Sequence, residues 1–322
     1  MTDAAKASAP LVAIVTPVYN GEKFLAETMN SVQAQTHANV VHVILDNAST
    51  DRTPEIIARY ATARVPIMVV RNEKTIPIIA NWNAAVAMTP PGAKYFRVLC
   101  ADDLIAPTFV ERLVDLAERC PNVGVVGCGV SHRGASACQA GWSADQSVWS
   151  GREAAERFFR GESLIVAHQT LFRRSALDRR RPLFDERIVG AADTDACLSL
   201  LRGCDWGYVH DELAVTRDHP DTVSRTQVGK WRLHASDYLK LLENHAEFAF
   251  GPEIGREWLR RYRRYYLRQM LRWWKEREVF DKHIGALNDD ASGPVLWQFL
   301  DAIADWPLAR LGLRQVWTGY PF

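Results

Sequence analysis

Tyr95-Phe96-Arg97-Val98-Leu99-Cys100-Ala101-Asp102-Asp103 begins as an apolar run of strand type and ends in two adjacent carboxylates. A strand that closes on Asp102 and Asp103 aims two negative charges at one place. That is costly unless a divalent cation or hydrogen-bond donors sit there. Mg2+ and Mn2+ take oxygen ligands and commonly lie beside phosphates. The alternative is an ordinary helix N-cap, because Asp is favoured there and Pro107 opens a helical pattern just beyond.

Outward from this stretch, residues 11–16 and 40–45 are further short apolar runs. Pro17-Val18-Tyr19-Asn20-Gly21 breaks the first, and Asp46-Asn47-Ala48-Ser49-Thr50-Asp51 closes the second. Helical spacing follows each: Phe24, Leu25, Met29 and Val32, then Ile56, Ile57 and Tyr60. Residues 67–70 read as strand, 79–88 as helix, 95–100 as strand and 108–119 as helix. The alternation predicts an α/β fold with a mostly parallel sheet flanked by helices. Ligands of such sheets bind at the carboxyl ends of strands. The turn after Thr16, the Asp46 turn and the Asp102-Asp103 doublet all fall at such ends.

The pattern changes after Asn122. A glycine-interrupted strand spans 123–130, and 131–150 is loop-rich with Trp142 and Trp149. A helix is expected at 151–160, a strand at 165–172, a helix at 193–201 and a last strand at 206–215. From about residue 230 the chain reads as almost wholly helical, a C-terminal extension.

With 322 residues, 48% of them hydrophobic, the chain can bury a substantial core. Its net charge of +1 favours no partner in bulk. Residues 256–275 carry eight Lys/Arg and one Glu, a local net of +7 that leaves the remainder at −6. The first ten residues have no apolar core of signal-peptide type. No apolar run approaches the ~18 residues that span a bilayer. Cys100, Cys120, Cys128, Cys138, Cys197 and Cys204 form no C-x-x-C pair, which favours reduced thiols in a cytoplasmic setting over disulfides or zinc.

The first βα turn lacks G-x-G-x-x-G, the chain has no P-loop, and G-x-S-x-G is absent. What remains is a site built from aspartates at strand ends. Asp46 can accept a hydrogen bond from a base edge, or cap the next helix. Ser49, Thr50 and Asp51 read as turn and cap residues.

Taken in order, these segments resemble family-2 glycosyltransferases of the GT-A fold. The resemblance rests on Val12-Ala13-Ile14-Val15-Thr16-Pro17-Val18-Tyr19-Asn20-Gly21, on Ser31-Val32-Gln33-Ala34-Gln35-Thr36, and on Asp46-Asn47-Ala48-Ser49-Thr50-Asp51. Asn81-Trp82-Asn83, Cys100-Ala101-Asp102-Asp103-Leu104 with Pro107, and Leu171-Phe172-Arg173-Arg174-Ser175-Ala176 continue it, covering about residues 10–225. The resemblance implies a nucleoside diphosphate sugar donor and a bound Mg2+ or Mn2+. Asp46 would read the nucleobase with Tyr19 near it, and Pro17 and Asn83 would belong to the donor site. Asp102 would face the ribose or the metal, and Asp103 would bind the metal. Many members have Asp where this chain has Cys100, and a thiol is a weak ligand for a hard metal.

Phe184-Asp185-Glu186 and then Gly190-Ala191-Ala192-Asp193-Thr194-Asp195 follow where the family typically shows Glu-Asp-x-Asp. Ala192 stands in place of the common Glu. By resemblance Asp193 is the catalytic base; otherwise it is an N-cap of the helix after it. A sugar hydroxyl is a poor nucleophile and needs a base to take its proton. Asp195 reads as first-turn helix support. Arg217-Asp218-His219 resembles the family's Arg-x-His element, so His219 is a candidate ligand for the metal or a donor phosphate. His168 lies near the expected acceptor pocket.

In the tail, Arg256, Arg260, Arg264, Arg268 and Arg272 recur every four residues beside Trp258, Tyr262, Tyr265, Tyr266, Met270, Trp273 and Trp274. Three readings stand: a helix packed on the protein, a helix on an anionic membrane surface, or nucleic-acid binding. Nucleic acid is the weakest of the three.

The expectation is a GT-A catalytic domain over 1–225, with a donor half at about 10–125 and an acceptor half at about 126–225, and a helical extension over 226–322. The expected activity is that of a metal-dependent inverting glycosyltransferase using a UDP-linked sugar. The acceptor would be a saccharide or lipid-linked saccharide in cell-surface glycan synthesis, met in the cytoplasm or at the inner membrane face. Two alternatives are a non-catalytic scaffold on the same fold, kept open by Cys100 and Ala192, and a sugar-1-phosphate nucleotidyltransferase. The latter would carry a glycine-rich basic loop after the first strand, where this chain has Thr16-Pro17-Val18-Tyr19-Asn20-Gly21.

Overall fold

The computed structural model describes residues 9–132, 141–165, 170–288, 296–314 and Trp317. His168 and Cys138 lie outside the described residues, as does part of the 131–150 loop. The chain forms two compact units. The first comprises Met1–Ala154, Glu162–Glu186 and Ala192–Asp218; the second comprises Ala155–Gly161, Arg187–Ala191 and His219–Phe322.

The first unit is built on one sheet. Its strands are β1 (Val12–Val18), β2 (Val40–Asp46), β3 (Ile67–Arg71), β4 (Tyr95–Val98), β5 (Leu104–Ile105), β6 (Val123–His132), β7 (Val148–Trp149), β8 (Leu171–Arg173) and β9 (Asp205–Thr216). They run in the order β3-β2-β1-β4-β8-β6-β9-β5, with β7 paired to β9. The pairings β1–β2, β1–β4 and β2–β3 are parallel, as the strand–helix alternation predicts. Beyond β4 the sheet is mixed. β8 is antiparallel to both β4 and β6, and β6–β9 returns to parallel. The join at β4 is pinned by Phe96, in register with Phe172 and stacked on it at 5.1 Å. Such an aromatic pair contributes about 0.5–1.5 kcal/mol beyond its buried area.

Of the described residues in the strand expected at 165–172, Leu171 and Phe172 lie in a strand, β8, while the two-residue strands β5 and β7 are not legible in the sequence. Two residues are too few to show a period.

Helices α1 (Leu25–Gln33), α2 (Thr53–Ala58), α3 (Ile78–Ala87), α4 (Phe109–Arg119), α5 (Gly151–Phe159) and α6 (Ala192–Leu200) follow in chain order. Every residue of β1 and β2 is buried, as in a sheet covered on both faces. Leu25 and Met29 of α1 and Ile56 and Ile57 of α2 pack with Val18 and Ile44. Phe109, Leu113 and Val114 of α4 pack in a second cluster with Val12, Ile14, Tyr95 and Val126. Trp142 packs on Trp149 and Trp206, with ring centroids 4.6 and 5.4 Å apart. A Cβ on Gly127 would lie 2.6 Å from the Trp206 ring, so glycine is required at that point of β6.

The second unit contains α7 (Leu233–Phe250), α8 (Pro252–Arg272), α9 (Arg277–Asn288), α10 (Leu296–Ile303) and α11 (Asp305–Arg310). Tyr262, Tyr266, Leu267 and Met270 of α8 are buried within it. The Tyr262 hydroxyl donates to the Ala235 carbonyl at 3.0 Å, and Tyr238 lies 4.7 Å from its ring. Packing thus accounts for the inner part of the aromatic face.

Two of the periodic arginines turn inward as well. The buried Asp305 carboxylate pairs with Arg264 at 2.9 Å, with Arg268, and with Arg314 at 3.0 Å. Removing the anion leaves mostly buried cations without their counter-charge. Asp305→Ala is therefore expected to destabilise the chain by about 3–5 kcal/mol, the usual result of breaking a buried pair from one side. Urea unfolding of the full-length protein measures it. Arg256 and Arg260 remain exposed. Among the described residues, no helix is long and apolar enough to cross a membrane.

Candidate active site

The parallel register sets one end of the site. Val18 of β1, Asp46 of β2 and Arg71 of β3 fall on one line across the sheet. Asp46 is buried and ion-paired with Arg71, whose other amino group donates to the Ser49 carbonyl at 2.7 Å. The Ser49 N–H donates to Asp46 Oδ1 at 2.9 Å. A carboxylate beside a guanidinium offers an acceptor and donors side by side, the complement of a base edge with an N–H next to a carbonyl. Pro17 is buried in β1 opposite Leu45. Tyr19 follows the strand directly and is half exposed, which leaves its ring face open to stacking.

The turn after β1 is stapled to the turn after β2. Asn20 N–H donates to Ser49 Oγ at 2.9 Å, and Thr50 N–H donates to Asn20 Oδ1 at 2.9 Å. Gly21 N–H donates to Thr53 Oγ1 at 2.8 Å, and Glu22 N–H to Asp51 Oδ2 at 2.9 Å. Asn20 takes a left-handed φ of 49°, which Asn tolerates better than most residues. Ser49, Thr50 and Asp51, read from sequence as local caps, hold the two turns together.

Asn83 sits on α3. Its amide donates to the Phe184 carbonyl and accepts from the Phe184 N–H, both at 2.9 Å. The structure thus places Asn83 as a bridge to the chain around Phe184, and both of its polar atoms are engaged there.

The ligand atoms of Cys100, Asp102 and Asp103 lie within 4.8 Å of one another after β4. Thr28 of α1 clips this turn by donating to the carbonyls of Ala101 and Asp103, both at 2.9 Å. Asp103 is buried, and its Oδ1 accepts the Arg217 N–H at 3.1 Å. Burial, and then the neighbouring Asp102 charge, push the Asp103 carboxyl up to about 7, against the Arg217 N–H and the charges of Arg97 and Arg217. Burial, with Asp103 and Asp102 adding to it, raises the Cys100 thiol well above its usual range. The thiol therefore stays protonated at neutral pH and is a poor ligand for a hard cation. The two carboxylates suit Mg2+ or Mn2+, with remaining positions left to phosphate oxygens and water.

Two arginines of this region have no role assigned from sequence, although Arg217 belongs to the Arg-x-His element. Arg97 is fully buried in β4, its guanidinium carbon 4.4 Å from the Phe109 ring. A lone cation inside an apolar strand run was the available signal. Arg217 donates to Glu27 at 2.8 Å and lies 5.1 Å from the Phe24 ring. Its Nε and Nη1 are buried and have no hydrogen-bond partner among the described residues. Beside Asp103, these donors fit a phosphate oxygen.

Asp193 is the second residue of α6, half-buried, with Oδ1 accepting the Thr194 N–H at 2.7 Å. Its charge is close enough to Cys100 to add to the rise of that thiol, so the base candidate and the carboxylate pair share one region. Asp195 is fully buried and paired with Arg180, which accords with helix support. His219 belongs to the second unit, where its Nδ1 lies 4.0 Å from Asp221.

The chain has relatives among known proteins. It is 27% identical over 235 residues to the uncharacterized glycosyltransferase EpsJ of Bacillus subtilis, a stretch that covers 67% of this chain and 63% of EpsJ. The chain thus spans just under two thirds of that relative's length. Two solved structures are similar in fold. One is Staphylococcus aureus TarS 1-349 in complex with UDP-GlcNAc, with TM-score 0.62, 13% identity, and 94% and 88% of the two chains covered. The other is the mannosyltransferase PcManGT of Pyrobaculum calidifontis in complex with GDP-Man and Mn2+, with TM-score 0.58, 18% identity, and 95% and 81% covered. Both likenesses support the GT-A fold. The profile of Glycosyl transferase family 2 matches residues 13–181, more than half of the chain, and the protein belongs to that family.

Proposed function

We propose that this glycosyltransferase is metal-dependent and inverting, and that it moves a sugar from a UDP-linked donor to a hydroxyl of a saccharide or lipid-linked saccharide. The observation that carries the reading is the adjacent carboxylates of half-buried Asp102 and buried Asp103, beside Arg217, whose Nε and Nη1 have no hydrogen-bond partner among the described residues. Those charges and donors suit a diphosphate held with a cation. When bound, Mg2+ or Mn2+ neutralises charge that develops on the departing nucleoside diphosphate.

The chain's own residues supply the rest. Asp102 and Asp103 hold the cation, and Arg217 offers donors to the diphosphate. Asp46 accepts the base N–H while Arg71 donates to the adjacent carbonyl, and Tyr19 stacks on the base. Asp193 accepts the proton of the attacking hydroxyl as its oxygen bonds to the anomeric carbon, and the nucleoside diphosphate leaves from the opposite face. His219 is proposed as a further metal or phosphate contact. Synthesis of a cell-surface glycan at the inner membrane face suits such an acceptor, with the exposed cations of 256–275 available to anionic headgroups.

The test is a thermal-shift panel of UDP, GDP, UDP-sugars and GDP-mannose with and without Mn2+, because a ligand that binds native protein raises the melting temperature. The expected result is stabilisation by UDP and a UDP-sugar that requires Mn2+. Preference for GDP would overturn the uridine assignment. No shift with any nucleotide would favour a non-catalytic scaffold, to which the protonated Cys100 thiol already lends some support. Arg71→Ala should weaken UDP binding roughly 10- to 100-fold, the range for losing a charge-assisted hydrogen bond, measured by calorimetry in Mn2+.

A further inference from the structure

We propose that the outer face of α10 and α11 is a membrane-contact surface whose partner is an anionic lipid bilayer; the proposal rests on the membrane-face part of the reading above. The two helices act as one run. The Ala304 N–H donates to the Leu300 carbonyl and the Leu308 N–H to the Ala304 carbonyl, both at 3.1 Å, which carries helical bonding across the break between them. The inner side of the run is fixed on α8. Ala302 and Asp305 are fully buried, the Ala302 carbonyl accepts from Arg268 at 3.2 Å, and Asp305 holds Arg264 and Arg268.

The outer side is apolar. At about 100° per residue, Trp297, Leu300, Ile303, Pro307 and Leu311 fall within about 120° of arc, opposite Ala302 and Asp305. All five are exposed, Ile303 to 52% and Leu311 to 70%. The run thus turns its buried carboxylate inward and its large apolar side chains outward. Water-facing surfaces seldom align apolar side chains in this way, and a stripe that does so marks a contact.

Charge selects the occupant. The acids of the run, Asp301 and Asp305, both pair with Arg314, at 2.9 and 3.0 Å. Arg310 is exposed on the run itself, and exposed Arg272 extends the Arg264–Arg268 row of α8 by one turn. Arg260, at the other end of that row, pairs with Glu257 at 2.9 Å. The stripe is therefore apolar, begins at a tryptophan and is bordered by cations, as in a helix lying in the interface plane of an anionic membrane. A second copy docked there would face these cations with its own. At about 1.5 Å per residue, residues 296–310 measure about 22 Å, short of the roughly 30 Å hydrocarbon layer, so the run lies on the bilayer and does not span it.

Vesicle flotation of the full-length protein tests this, with phosphatidylcholine alone and with an equal mixture of phosphatidylcholine and phosphatidylglycerol. The expected result is binding to the mixed vesicles only. Leu300→Glu and Leu311→Glu should each weaken it about 10-fold or more, because each takes an apolar side chain out of the bilayer. Arg310→Ala should weaken it about fivefold, and Leu300→Trp should keep it. These side chains are exposed, so each variant should melt at the wild-type temperature. Wild-type binding by Leu300→Glu, binding indifferent to phosphatidylglycerol, or no binding to either vesicle would overturn the proposal. So would a wild-type dimer in sedimentation that Leu300→Glu converts to monomer, which would assign the stripe to a second copy. Stabilisation by UDP in Mn2+ is read on the same preparations. Leu300-dependent vesicle binding by a protein that no nucleotide stabilises would support the surface and overturn the sugar-transfer reading. Nucleotide stabilisation without vesicle binding would overturn the surface alone.

Discussion

Asp193→Asn is expected to lower sugar transfer about 10²–10⁴-fold while UDP binding stays within about twofold. The amide keeps the size of the side chain and can still accept the Thr194 N–H, so α6 should keep its place. It cannot accept the proton of an attacking hydroxyl. The loss should appear in kcat, because the interaction exists only as the oxygen attacks. UDP release from a UDP-sugar and calorimetric UDP affinity, measured on the same preparation, check it. An equal fall in both would mean that Asp193 holds the site together and takes no proton.

Asp103→Asn should abolish the Mn2+ dependence of UDP binding, an effect of about 100-fold or more if Asp102 and Asp103 hold the cation as proposed. The amide oxygen can still accept the Arg217 N–H, which keeps the turn closed. Stability should change in a direction that depends on pH. In the metal-free protein the Asp103 carboxyl is raised to about 7 from its ordinary 3.8, so between these values the native state binds more protons than the unfolded chain. Its contribution to stability is therefore present below about pH 4 and is lost as pH rises through about 7. The metal-free Asn variant should melt above the metal-free wild type at pH 8, and the gap should narrow at pH 5. Mn2+ should stabilise the wild type more at pH 8 than at pH 5. Melting curves at the two pH values, with and without Mn2+, check this. A wild type that binds UDP equally well in chelator would sink the metal role.

The strand ends that carry the aspartates were legible because an apolar run that stops at a turn is a local pattern. The helices α3, α4 and α6 were legible for the same reason. What pairing decides was not. β8 enters the sheet antiparallel between β4 and β6, strands far from it in sequence. Arg71 meets Asp46 through the β2–β3 register, and nothing within either segment announces it. Asn83 reaches Phe184 across 101 residues, so a motif match could place it at the site without saying what its amide holds. Ser49 and Thr50 look like caps from sequence because Ser and Thr serve that role widely. Their bonds to the turn after β1 depend on two strands lying side by side. Arg97 is a simpler omission, since a cation in a strand reads as an edge facing water until the layer of helix above it is known.

The late insertion of β8 has a consequence for the order in which the chain is made. By the time Val98 leaves the ribosome, β1, β2, β3 and β4 can pair with one another. The free side of β4 must then wait until Leu171-Phe172-Arg173 emerges, about 70 residues later. At ordinary rates of synthesis that is roughly 4 to 14 s with Phe96 and a row of backbone donors and acceptors uncovered. Chains released early, between the fourth strand and residue 173, carry that open edge permanently. They should be the fragments that chaperones retain and that aggregate when made alone.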